Sequence, residues 1–67
     1  MEIGKKLKNA RIEAGLTQEK AAEKIDVSRQ TISNWENEKS YPAIISVIAL
    51  SDLYSVSLDE LLKVQML

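Results

Sequence analysis

Residues 16–42 read LTQEKAAEKIDVSRQTISNWENEKSYP, and the spacing within this stretch decides the fold. Thr17 stands in N-cap position ahead of Gln18, Glu19 and Lys20, with Glu19 near the positive end of the helix dipole. Ala21, Ala22 and Ile25 then supply the buried side of a short helix, and Asp26 falls at a turn. Ser28 is the next capping residue. It opens another short helix through about Glu36, with Val27 and Ile32 spaced as a hydrophobic staple. Ile32 and Trp35, three apart, face inward. Two short helices joined by about three residues cross at roughly 90–120°. Ala22 is small enough to let them approach.

The pattern on either side is also helical. Upstream, Ile3, Leu7, Ala10 and Ala14 fall at i, i+4, i+7 and i+11, one stripe of a first helix. Lys5, Lys6, Lys8 and Glu13 lie on its wet side, and Gly15 closes it in the left-handed conformation. Downstream, residues 37–41 read as a loop, and Pro42 suits the first turn of a fourth helix over about 43–54. That helix is apolar on most sides. Ile44, Val47, Leu50 and Tyr54 can fill a core, while Ile45, Ile48 and Leu53 are surplus to it. A connector at 55–57 leads to a last short helix carrying Leu58, Leu61 and Leu62. The expectation is an all-α, compact five-helix domain occupying residues 1–67, with the helix-turn-helix proper at 18–36.

Composition narrows the choices. The chain has 67 residues, with no Cys and no His, so disulfides and ordinary zinc sites are excluded. A chain this short buries only about 60% of its unfolded surface, and with 45% hydrophobic residues but three aromatics the core must be aliphatic helix packing. No apolar run approaches the ~20 residues of a membrane span, and the start lacks the pattern of a signal peptide. The expected location is cytoplasmic. Net charge is −1 and the isoelectric point about 5.3. Residues 1–39 carry eight Lys/Arg against seven Asp/Glu, and residues 40–67 one against three, so any anion-binding face lies in the first part.

The outer face of the third helix carries Arg29, Gln30, Ser33 and Asn34, with Asn37 just beyond. These side chains match what base edges offer. Arg pairs bidentately with guanine O6 and N7, and Gln or Asn with adenine N6 and N7. Gln18, Ser28, Thr31, Asn37 and Lys39 are placed for phosphate oxygens, helped by backbone N–H groups at two helix N-termini. Thr17 caps first and meets a phosphate second.

The quoted stretch, together with VSLDELL at 56–62, resembles the phage-repressor-type helix-turn-helix family known as Cro/C1 or XRE. The likeness runs from Ile3 to Leu62. It implies a third helix that enters the major groove, with Arg29, Gln30 and Asn34 at base-reading positions. It also implies that Gln18 touches both phosphate and the recognition helix. By the same resemblance Arg11 and Glu36 form a salt bridge joining helix one to the end of helix three. Three positions depart from the family pattern. Asp26 replaces a turn glycine, Glu38 replaces a glycine and brings an acid near the phosphates, and Ala43 stands where a polar cap is frequent.

The function implied is a sequence-specific regulator of transcription, a repressor by family habit, that binds double-stranded DNA at a palindromic operator. The surplus apolar residues Ile45, Ile48 and Leu53, with Val64, Met66 and Leu67 at the chain end, are candidates for a homodimer interface. Two rival readings use the same fold. One is the antitoxin of a toxin–antitoxin pair, the other a protein-interaction module with weakened DNA binding, for which the acidic balance is the best argument. An enzyme is not expected, since there is no His, Cys or phosphate-binding glycine loop. No cofactor, metal, membrane or small-molecule ligand is indicated.

Overall fold

The computed structural model describes residues 3–62 and contains five α-helices in chain order. They are α1 (Ile3–Glu13), α2 (Gln18–Ile25), α3 (Arg29–Glu36), α4 (Ile44–Tyr54) and α5 (Leu58–Leu62). Among the described residues there is no strand, and no helix is long and apolar enough to cross a membrane. The all-α expectation holds.

The first four helices end alike. Each stops on one residue in left-handed conformation: Gly15 (φ 75°), Asp26 (φ 61°), Glu38 (φ 62°) and Ser55 (φ 57°). At each end that residue's N–H bonds the carbonyl three back, and the following N–H bonds the carbonyl five back. Examples are Leu16 to Arg11 at 3.1 Å, Val27 to Ala22 at 3.0 Å, Lys39 to Asn34 at 2.9 Å and Val56 to Ser51 at 3.0 Å. This is the Schellman arrangement, which gives partners to carbonyls that a helix end leaves bare. After the left-handed residue that closes α1, α2 and α4 come one apolar residue and then Thr or Ser. The hydroxyls of Thr17, Ser28 and Ser57 accept the N–H groups of Lys20, Thr31 and Glu60 at 3.0, 3.1 and 3.1 Å. One connector of three residues thus closes a helix, pins the chain to the core and opens the next helix.

The core draws on every helix. Ile3, Leu7 and Ala10 come from α1, Ala21 and Ala22 from α2, and Ile32 and Trp35 from α3. Val47, Leu50 and Tyr54 of α4 and Leu61 of α5 complete it. Leu16, Ile25, Val27 and Val56 pack against its edge. α3 is gripped by α1 and α2, with α4 and α5 behind them.

Several details differ from the sequence expectation. Ala14 is exposed, because α1 stops at Glu13 and the chain leaves the stripe one residue early. Ile44 is 61% exposed and fills no core, whereas Leu53 packs against it and is not surplus. Pro42 lies ahead of α4 and not in its first turn. Ala43 is the N-cap, and no side chain caps that end. Val64, Met66 and Leu67 lie outside the described residues.

Candidate nucleic-acid interface

α3 is oriented by what it buries. Ile32 and Trp35 are 1% and 7% exposed, which turns the opposite side of the helix outward. Arg29 and Gln30 are exposed there, with Ser33 and Asn34 half-buried beside them. The side chains are already paired. Gln30 Nε2 donates to Asn34 Oδ1 at 3.0 Å across one turn, and Asn37 Nδ2 donates to Ser33 Oγ at 3.2 Å. Arg29 Nη1 reaches Gln18 Oε1 at 3.4 Å, so the start of α2 and the start of α3 meet at this face. Ser28 and Thr31 hydroxyls are 2.8 Å apart. Thr17, Ser28, Asn37 and Lys39 are exposed, and Gln18 and Thr31 half-buried.

The face stands on a buried ion pair. Arg11 Nε and Nη2 donate to the two oxygens of Glu36 at 2.7 and 3.1 Å. Arg11 Nη1 also donates to the carbonyl of Leu16 at 2.8 Å, tying in the connector between α1 and α2. Gln18 Nε2 donates to Glu36 Oε1 at 3.0 Å, which brings in the start of α2. The bond to Glu36 raises the Arg11 pKa above its ordinary value against the opposing effect of burial, so the guanidinium stays charged. Breaking such a pair by removing one partner typically costs about 3–5 kcal/mol, because the other charge is left buried and bare. Glu36 is therefore withdrawn from the outer face, and its charge is compensated.

Glu38 also behaves differently from a free acid on the binding side. Its carboxylate accepts the N–H of Gly4 at 2.6 Å, capping α1. A hydrogen bond with that carboxylate is also the main reason the Tyr41 hydroxyl pKa is raised. Sequence reasoning missed this cap and the role of Gly4, since they join positions 34 residues apart. The exposed apolar side of α4 was placed in part: Ile45 and Ile48 are on it as expected, and Ile44 joins them in place of Leu53. Ile44, Ile45 and Ile48 are 61%, 74% and 48% exposed, and Tyr41, in the segment before α4, is 61% exposed.

Comparison with known proteins agrees with this architecture. A helix-turn-helix family model matches residues 7–61. The HTH-type transcriptional regulator ImmR of Bacillus subtilis (strain 168) is 45% identical over 62 residues, which cover 92% of this chain and 49% of that protein. The HTH-type transcriptional activator BcrR of Enterococcus faecalis is 46% identical over 63 residues, 94% of this chain and 31% of that one. The chain thus spans about half or less of the length of these relatives.

Proposed function

The chain belongs to the Cro/C1-type (XRE) helix-turn-helix family, whose named relatives here are regulators of transcription and not enzymes, and from that premise we propose that it binds duplex DNA sequence-specifically and regulates transcription by occupying an operator. α3 enters the major groove. Arg29, Gln30, Ser33 and Asn34 meet base edges, while Thr17, Gln18, Ser28, Thr31, Asn37 and Lys39 meet phosphates. The observation that carries the reading is the division of α3. Ile32 and Trp35 anchor one side, and the other presents only hydrogen-bonding side chains, with no apolar anchor of the kind a protein-binding face uses.

Repression is the proposed sign, through exclusion of polymerase from an overlapping promoter; BcrR's name is that of an activator, so the likeness alone does not select it. The domain occupies the whole chain and works in the cytoplasm. It reads a palindrome as a homodimer, with the exposed side of α4 against a second copy. A two-fold pair sets two reading helices one DNA turn apart, about 34 Å.

Selection of duplexes from a random-sequence pool tests the reading. Enrichment of one motif, with Arg29→Ala or Gln30→Ala each costing about 1–3 kcal/mol and relaxing preference at one base position, is expected. Unchanged preference in both variants would remove α3 as the reader. Lys39→Ala should instead weaken all sequences alike and flatten the salt dependence.

A further inference from the structure

Under the reading face runs a line of polar contacts that starts in the core and ends at its rim. Arg11 holds both oxygens of Glu36, which is only 8% exposed. Glu36 Oε1 accepts Gln18 Nε2 at 3.0 Å, and Gln18 Oε1 accepts Arg29 Nη1 at 3.4 Å. The order of these atoms matters. An ionised carboxylate only accepts, and a guanidinium only donates. Glu36 therefore takes the NH₂ side of the Gln18 amide, which leaves the amide oxygen turned toward Arg29. A side-chain amide without such a partner has two orientations, and the reversed one would set an N–H donor against the guanidinium. The buried pair thus fixes the polarity of Gln18, and Gln18 fixes one end of Arg29.

We infer that Glu36 is a positioning residue for base recognition, aiming the Arg29 guanidinium along the reading face through the oriented amide of Gln18 while touching no DNA itself. The inference rests on the proposal that Arg29 reads a base. Its consequence is local. A long side chain held in its binding pose loses less freedom on docking, so the gain falls at the one base pair that Arg29 meets. Gln30 and Asn34 are held by each other and stand outside the line.

The test uses the best duplex from the random-pool selection and its single-base-pair variants. Arg29→Ala identifies the position that Arg29 reads. Gln18→Met keeps the length and helix preference of the side chain but has no amide. It is expected to reduce discrimination at that same position by about 5–10-fold, part of the range a bidentate base contact supplies. Discrimination at the Gln30 and Asn34 positions stays as it was. The double variant is no worse at that position than Arg29→Ala alone, because both changes remove one coupled unit. If Gln18→Met leaves discrimination intact while Arg29→Ala abolishes it, the positioning role is wrong and base reading stands. If Arg29→Ala changes nothing, or no duplex is enriched, the proposed function itself fails. A second readout needs no DNA. In nitrogen-15 spectra of the free protein the Gln18 side-chain amide should shift on Glu36→Gln while the backbone signals of α3 persist, and an unmoved amide overturns the inference. If Glu36→Gln does not fold, the Gln18→Met comparison decides.

Discussion

At the scale of single residues, Gly4 sits where the fold leaves no room for a side chain. A Cβ there would lie 2.6 Å from the carbonyl oxygen of Glu36, 2.8 Å from that of Trp35 and 2.8 Å from Glu38 Oε1. Alanine in place of a helical glycine ordinarily gains about 0.5–1 kcal/mol. Here two of the three obstructing atoms are backbone at the end of α3 and cannot swing aside, so overpacking at about 1–3 kcal/mol dominates. Gly4→Ala is expected to lower the melting temperature by at least ~5 °C, given about 4–8 °C per kcal/mol for a domain of this size. A circular-dichroism melt at or above the parent value would show that α1 does not approach α3 so closely. Tyr54 is the second sensitive residue. Burial, aided by the Glu36 carboxylate and opposed by Arg11, pushes its hydroxyl from 10.0 up to about 12. The unfolded chain ionises near 10, while the folded one resists until about 12. The stabilisation is therefore fully present below pH 10 and is lost as pH rises from 10 to 12. Two units correspond to about 2–3 kcal/mol. Urea midpoints at pH 9 and pH 11.5 check this: the parent should lose more between them than Tyr54→Phe, and equal losses would contradict the buried hydroxyl.

At the scale of elements, the connectors explain why much of this fold was legible. Gly15-Leu16-Thr17, Asp26-Val27-Ser28 and Ser55-Val56-Ser57 each state locally that one helix stops and another starts. The caps at Thr17 and Ser28 and the left-handed Gly15 accordingly lie where the spacing predicts. The start of α4 lacks such a signal, and its buried side is unmarked as well. The helix is apolar nearly all round, so periodicity cannot choose its buried side. The choice of Val47, Leu50, Ser51 and Tyr54 is made by the space the other helices leave. Ser51 is accommodated on that side with its hydroxyl donating to the Ile48 carbonyl at 2.8 Å. In the candidate binding face, residue types and helical spacing were readable, whereas the Glu36–Gln18–Arg29 line and the Glu38 cap on Gly4 depend on distant pairings. Two changes test the element ends. Ser55→Gly removes a left-handed L-residue, a strain of about 1–2 kcal/mol. Set against the greater freedom of glycine in the unfolded chain, the net gain should be ~0.5–1 kcal/mol. Ala43→Ser supplies the missing N-cap of α4 and should add about 1 kcal/mol. Denaturant titration should show both as raised midpoints with unchanged slope. A lowered midpoint for Ser55→Gly would mean that the serine side chain has a role beyond its backbone angle.

At the scale of the whole molecule, the two unusual features are a weak positive field and an uncovered apolar side. With net charge −1, attraction to the phosphate backbone is mild, so under the proposed reading one copy would gain little from nonspecific contact and a pair would gain much more. Ile44, Ile45 and Ile48 lie on one exposed side of α4, with Ile44 and Ile48 four apart, and form one stripe. Such a stripe exposes on the order of 400 Å², the size of the largest patch on an ordinary monomer, and half of the ~800 Å² that a stable interface takes from each partner. Two copies joined by it alone would therefore associate weakly in solution. On a duplex with two half-sites, as proposed, the second copy would be held at high effective concentration, and the same small contact would suffice. Ile45→Ser with Ile48→Ser tests this without changing charge. Both side chains are about half exposed or more, so the melting temperature should move little. Binding to a two-half-site duplex is expected to fall about 10–100-fold, toward the lower end of the gains that joining two binding events supplies and in keeping with so small a contact, while binding to a single half-site changes less than about twofold. Sedimentation should show the parent moving from monomer toward dimer with rising concentration and the variant remaining monomeric. An unchanged affinity for the paired site would mean that something other than a second copy covers the α4 stripe, and the rival reading in which that face holds a different protein would then take its place.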